Sequence, residues 1–163
     1  MRIRRAEQKD LPELLDIYNY EVVHGVATLD LTPRTLAQRQ VWFDRHNVEN
    51  HPLYVAEIGG RAAGYACLSS YREKEAFRST VELSIYIAPD YRRRGVATEL
   101  MAFILEVAKA DERTHTVVSV ITADNEASRK LHENFAVTYC GTIPEVGMKF
   151  GVYRDIVNYA LLV

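Results

Sequence analysis

The run Thr80-Val81-Glu82-Leu83-Ser84-Ile85-Tyr86-Ile87 places one carboxylate in the middle of apolar and β-branched residues. A carboxylate at such a position is poorly solvated. Desolvation disfavours its charged form and raises its pKa toward the range of a general base. An inward-facing Glu neutralised by a structural Arg is the alternative for Glu82. The chain then continues as Ala88-Pro89-Asp90-Tyr91-Arg92-Arg93-Arg94-Gly95-Val96-Ala97-Thr98, a basic, glycine-bearing turn between a strand and a helix. Backbone N–H groups at such a turn converge on one spot, where the helix dipole adds about half a positive charge. Gly95 lets the backbone approach an anion closely, Ala97 keeps the wall small, and Arg92, Arg93 and Arg94 supply charge at the rim. A triple-Arg turn alone is usually a solvated surface, but its place between a strong strand and a strong helix points to a pyrophosphate cradle. His132, beside Leu131 on a helical segment, reads either as a packed core residue or as an acid–base group. Tyr71-Arg72-Glu73-Lys74-Glu75-Ala76-Phe77-Arg78 offers three cations just before the Glu82 strand, or is a charged surface loop.

The elements that must position these groups are legible from periodicity and punctuation. Arg2 to Arg5 reads as a short edge strand. Asp10-Leu11-Pro12 is a helix start, and Leu11, Leu14, Leu15, Tyr18 and Val22 carry that helix to about Val23. The segment His24 to Leu31 breaks the period, and Thr32-Pro33 predicts a second helix running to about Asn47. Leu53 to Ile58 and Ala62 to Ser70 flank Gly59-Gly60, which predicts a hairpin. Thr80 to Ile87 is a strand, and Val96 to Ala110 is the clearest amphipathic helix. Thr116 to Thr122 predicts a buried strand, Asn125 to Phe135 a helix, Ala136 to Ile143 a strand and Val152 to Val163 a long final one. The expected fold class is α/β, a mixed α/β sandwich.

Composition bounds the rest. A chain of 163 residues is the size of one domain (1–163), and a globule of that length buries roughly 70% of its unfolded surface. With 20 Lys and Arg against 22 Asp and Glu, the net charge is −2, which disfavours wholesale binding of nucleic acid or an anionic membrane. No stretch approaches the ~20 apolar residues of a membrane span, so a cytoplasmic protein is expected. Cys67 and Cys140 lie in apolar stretches and read as reduced, buried thiols without chemistry. The ten tyrosines are the one compositional oddity.

The spacing Arg92-x-x-Gly95-x-Ala97, after a strand ending Tyr86-Ile87-Ala88-Pro89, resembles the acetyl-CoA-binding motif of the GNAT superfamily of N-acetyltransferases. Asn125-Glu126-Ala127-Ser128-Arg129-Lys130-Leu131-His132 is similar to the family's next helix. Glu82, His132 and Val146-Gly147-Met148-Lys149-Phe150-Gly151-Val152-Tyr153-Arg154-Asp155 resemble the phosphinothricin and methionine sulfoximine acetyltransferase branch, as do Asn19, Thr28-Leu29-Asp30 and Trp42-Phe43. The resemblance covers essentially the whole chain. It implies a GNAT fold with a twisted mixed sheet of about seven strands and about four helices, in which two strands splay apart at the cofactor. Acetyl-CoA is then the co-substrate and no metal is needed. The pantetheine would pair with the edge at Ile85, Tyr86 and Ile87, the backbone of Arg93, Arg94, Gly95, Val96, Ala97 and Thr98 would hold the pyrophosphate, and Asn125 and Ser128 would stand beside the pantetheine arm.

The same resemblance makes Glu82 the general base and His132 an acid or second base. Acetyl transfer needs the neutral amine, and an α-amino group with a pKa near 8 is mostly protonated at pH 7. The implied reaction is direct attack through a tetrahedral intermediate, without a Ser or Cys nucleophile. The implied substrate is the α-amine of a small amino-acid analogue, held by Arg72, Glu73, Lys74, Phe77, Leu83 and Ser84, with Lys149 and Tyr153 closing the pocket, from the same chain or across a homodimer interface. Three departures stand out. Lys74 replaces an Arg often found three residues before the aromatic, Leu29 replaces a frequent aromatic, and Ala136-Val137 replaces a Gly-Phe pair at the helix-to-strand turn. Rival expectations are an enzyme acting on a polyamine, an aminoglycoside or a protein N-terminus, and a non-catalytic acyl-CoA sensor.

Overall fold

The computed structural model describes residues 1–163. Seven strands form one sheet: β1 Arg2–Arg5, β2 Leu53–Ile58, β3 Arg61–Ser70, β4 Thr80–Ile87, β5 Thr116–Thr122, β6 Thr138–Lys149 and β7 Val152–Leu162. Their order is β1-β2-β3-β4-β5-β7-β6, antiparallel except for β4 and β5. Four helices flank it: α1 Leu11–His24, α2 Leu36–Asp44, α3 Val96–Ala110 and α4 Glu126–Glu133.

The central strand β3 shows why both faces are covered. Tyr65 and Cys67 pack with Leu14 and Ile17 of α1, whereas Ala66 and Leu68 pack with Leu100, Met101 and Ile104 of α3. A strand buried on both faces is apolar throughout, and here the alternation separates one core from the other. Gly59 and Gly60 make the β2–β3 turn with φ of 58° and 77°, a conformation that the absence of a Cβ permits. Three of the ten tyrosines, Tyr18, Tyr65 and Tyr86, gather in the first core with Trp42 around the buried Arg39, whose guanidinium lies 3.4 Å from the Trp42 ring centroid. Arg39 also donates to the Tyr65 hydroxyl at 2.6 Å.

Two boundaries differ from the sequence expectation. The second helix begins at Leu36, not at Thr32-Pro33. Thr35 caps it in a capping box with Gln38, while the Asn19 side chain exchanges two hydrogen bonds with the Arg34 backbone and holds that residue outside the helix. Strand β6 continues past Ile143 to Lys149. It is an edge strand with a register shift between Ile143 and Gly147, so it carries Pro144 without losing a ladder bond it needs. The α4–β6 turn also avoids the left-handed Ala136 that a glycine would suit. The Val137 N–H donates to the Phe135 carbonyl at 2.7 Å, and Ala136 keeps a negative φ.

His46 pins α2 to the sheet. Its Nδ1 donates to the Trp42 carbonyl at 2.7 Å, so its Nε2 accepts from the Ser69 hydroxyl at 2.8 Å. Burial pushes its pKa from 6.5 down to about 4. A histidine held neutral in the fold takes up a proton on unfolding, so the protein loses stability as pH falls from 6.5 to about 4. His46→Gln keeps a donor and an acceptor but does not titrate. Urea unfolding across this range should show a shallower decline for the variant, smaller by at most about 3 kcal/mol, with a residue of decline from His51 and His132, whose pKa values burial also lowers.

Candidate active site

The site begins where pairing stops. Strands β4 and β5 are paired only at Thr80–Thr116, Val81–Val117 and Glu82–Val118, and beyond Glu82 they diverge. From Leu83 to Ile87 the edge of β4 toward β5 has no partner strand, while β5 from Ser119 to Thr122 remains paired with β7. An interior strand edge left open is rare because its backbone groups lose their partners. A cavity of about 790 Å³ fills the fork and runs along the α3 N-terminus and α4.

One wall is the turn before α3. Gly95 caps the helix with φ of 80°, and Arg93 also has positive φ, 59°. None of the six backbone N–H groups from Arg93 to Thr98 has an acceptor within the protein. Six free donors at a helix N-terminus match a pyrophosphate, and the open β4 edge matches the amide groups of a pantetheine arm. The residues present therefore fit acetyl-CoA. Asn125 caps α4 by accepting from the Ser128 N–H at 3.3 Å, and both line the cavity.

Glu82 stands at the fork and lines the cavity. Its carboxylate has no hydrogen-bond or ion-pair partner, so the alternative of a structural Arg neutralising it does not hold, and burial alone raises its pKa. His132 also lines the cavity and is buried. Its Nδ1 donates to the Ser128 carbonyl at 2.7 Å, which leaves Nε2 to accept from the Ser119 hydroxyl at 2.8 Å, and burial lowers its pKa. It is a neutral imidazole at pH 7.

The fold brings together Glu82, Leu83, Ser84, Ile85, Tyr86, Ile87, Arg92, Arg93, Gly95, Val96, Ala97, Thr98, Asn125, Ser128 and His132 around this one space. Other expected residues lie elsewhere. Lys149 is fully buried at the tip of the β6–β7 hairpin, where its Nζ donates to the Glu21 and Thr28 carbonyls at 3.1 and 2.8 Å, so it grips backbone instead of facing the cavity. Tyr153 is exposed near the tip of the same hairpin and does not line the cavity. Arg94 turns to the Tyr91 ring at 5.6 Å, and Arg72 lies over Tyr71 and Phe77 at 5.1 and 5.7 Å. Arg72, Glu73, Lys74 and Phe77 do not line the cavity. Cys140 is exposed, contrary to the expectation of two buried thiols, because it lies on the edge strand β6. Glu21, Val26 and Ala27 also line the cavity and were not anticipated; of the Val26–Leu29 wall only Thr28 and Leu29 are marked, by resemblance, and the local signal for the rest is the loss of helical period after His24.

An open strand edge feeding a free-donor turn on a mixed sheet defines an acyl-CoA-dependent acyltransferase. Residues 14–136 match the acetyltransferase (GNAT) family model. The chain belongs to that family, and it is an acetyl-CoA-dependent N-acetyltransferase. It is 39% identical over 155 residues to the L-methionine sulfoximine/L-methionine sulfone acetyltransferase of Pseudomonas aeruginosa, covering 94% of this chain and 90% of that one. A structure described as a ribosomal-protein-alanine N-acetyltransferase from Brucella melitensis superposes with a TM-score of 0.95 at 36% identity, covering all of both chains. A phosphinothricin acetyltransferase from Sinorhizobium meliloti in complex with AcCoA superposes with a TM-score of 0.95 at 28% identity, covering 99% of this chain and 88% of that one.

The cradle gives a test that separates binding from folding. A carboxylate in the first turn of a helix suits the dipole, yet at residue 97 it stands where an anion would be held. Ala97→Glu should leave the melting temperature unchanged or slightly raised while weakening coenzyme A binding more than 100-fold, read by calorimetric titration.

Proposed function

We propose that the protein acetylates the α-amine of a small amino-acid analogue of the phosphinothricin, methionine sulfoximine or methionine sulfone type. The observation that carries this reading is Glu82, an unpaired carboxylate at the fork and one strand position from the open edge. Acetyl-CoA supplies the activated acetyl group when bound. Glu82 takes the proton from the attacking amine, directly or through water. The named activities of the relatives support the substrate class. All 163 residues serve this one domain, and the protein works in the cytoplasm.

Assayed by thiol release over amines that include the three amino-acid analogues, a polyamine, an aminoglycoside and an alanyl peptide, turnover should be highest with the analogues. Highest turnover with the alanyl peptide would favour the activity named for the Brucella neighbour. Glu82→Gln should lower kcat/KM by about 100-fold or more, the usual contribution of a general base, and a loss within threefold would remove Glu82 from that role. The same variant should gain stability. A carboxylate whose folded pKa is raised above 4.5 weakens the fold increasingly as pH climbs through that window, so Glu82→Gln should melt higher than wild type at pH 8 and equally at pH 4.

We also infer a homodimer. Ile143, Val146, Met148, Phe150, Val152 and Tyr153 are all exposed on the β6–β7 hairpin at the edge of the sheet. A patch of this kind usually marks an interface. Sedimentation should give a dimer for wild type and a monomer for Val146→Lys combined with Met148→Asp.

A further inference from the structure

Three charged residues distant in sequence meet between the two walls of the cavity. Glu21, in the last turn of α1, has a side chain only 10% exposed and forms an ion pair with Arg92. Arg92 belongs to the turn that leads into the cradle. Its Nε donates to the carbonyl of Ile87, the last residue of β4, at 3.3 Å, and its guanidinium lies 5.3 Å from the Tyr20 ring centroid. The backbone of the same α1 turn is held from below. Lys149 reaches from the hairpin tip to the Glu21 carbonyl and to the Thr28 carbonyl, so one ammonium ties the helix end to the loop that forms the opposite wall. The chain leaves the helix through Gly25, where a Cβ would stand 1.8 Å from the Glu21 carboxylate. Only glycine leaves that carboxylate its place. Glu21, Arg92 and Thr28 all line the cavity.

This arrangement accounts for Arg92 in a way the basic turn did not suggest. An arginine at the rim of an anion site is expected to be a free charge. Here its fork is shared between a carboxylate and a strand-end carbonyl, and the free donors toward an anion are the backbone N–H groups of the turn. The side chain therefore joins the turn to α1.

We propose that Glu21 is a positioning residue that couples the cofactor turn to the Val26–Leu29 wall of the amine site. The bridge Arg92–Glu21–α1 end–Lys149–Thr28 makes the position of that wall depend on the state of the turn. When the turn is fixed by a bound pyrophosphate, Arg92 is fixed with it, and Glu21 holds the end of α1 and the following loop against the cavity. By linkage, a wall ordered by the amine strengthens coenzyme binding by the same factor. The inference rests on the placing of acetyl-CoA in the fork and not on the identity of the amine.

The test is amide hydrogen exchange in residues 26–30, with and without coenzyme A, in wild type, Glu21→Gln and Arg92→Gln. Coenzyme A should slow exchange there at least tenfold in wild type and less than twofold in either variant, and the double variant should behave as the single ones do. Arg92 is 42% exposed, so its variant keeps the test open if Glu21→Gln melts early. Protection that persists in both variants, or that is absent from wild type, overturns the coupling. The substrate reading fails separately, if wild type binds coenzyme A but turns over none of the amino-acid analogues.

Discussion

A strip of backbone polar groups without partners organises this molecule. The β4 edge from Leu83 to Ile87 faces no strand, and the N–H groups from Arg93 to Thr98 meet no acceptor. Folded proteins leave few such groups in their interiors, because each one forgoes hydrogen bonds worth about 1–3 kcal/mol when it is cut off from water. Here they face a cavity, arranged in series, so one elongated ligand with amide groups at one end and phosphates at the other satisfies both sets. The side chains around the strip hold it open. The second core, with Leu83 and Val117 buried against α3, keeps β4 and β5 joined up to Glu82, and beyond it the His132–Ser119 hydrogen bond ties β5 to α4.

That constraint also decides where charge can stand. Of the cations around the cavity, Arg92 is held by Glu21, Lys149 by two carbonyls and Arg94 lies against the Tyr91 ring, while Arg93 and Lys130 line the cavity without an ion-pair partner. Glu82 has no partner at all. A structural role would leave a carboxylate paired, because an isolated buried charge is costly. One left alone at the point where the strands part is the pattern expected of a group whose proton affinity has been raised for use.

Strands β4 and β5 and helix α3 end at the residues their local signals mark, since a β-rich run closed by Ala88-Pro89, a run of seven that is β-branched except at Ser119 and a strongly periodic helix opened by Gly95 each carry their own boundaries. The anion turn and the fork follow from those elements, and so the cofactor side of the cavity was legible. The contacts that hold the Val26–Leu29 wall were not. Lys149 stands 121 residues from Thr28 and Glu21 71 residues from Arg92, and no local pattern reports contacts at such separations. Resemblance assigned Lys149 and Tyr153 to the substrate pocket, from the same chain or across a dimer interface; within one chain Lys149 is a buried strut and Tyr153 an exposed residue of the apolar hairpin. Thr32-Pro33 misled for a related reason. The residue that sets the start of α2 is Asn19, on another helix.

The state of His132 bears on how the proposed reaction divides its proton transfers. An α-amine with a pKa near 8 is about 90% protonated at pH 7, and its nitrogen becomes far more acidic as it attacks, so a base is required on that side. The leaving thiol resembles cysteine, with a pKa near 8.5, so its thiolate is already a tolerable leaving group near neutrality and gains little from an acid. The structure divides its ionisable groups in the same proportion. The carboxylate is unpaired, cavity-facing and raised in pKa, which is what the demanding step needs. The imidazole is neutral, with its one proton on the Ser128 carbonyl and its lone pair on the Ser119 hydroxyl, so it has no proton aimed into the cavity to give. In this arrangement His132 ties α4 to β5 at the fork, and under the proposed reaction the thiolate takes its proton from water or from the one Glu82 has taken up.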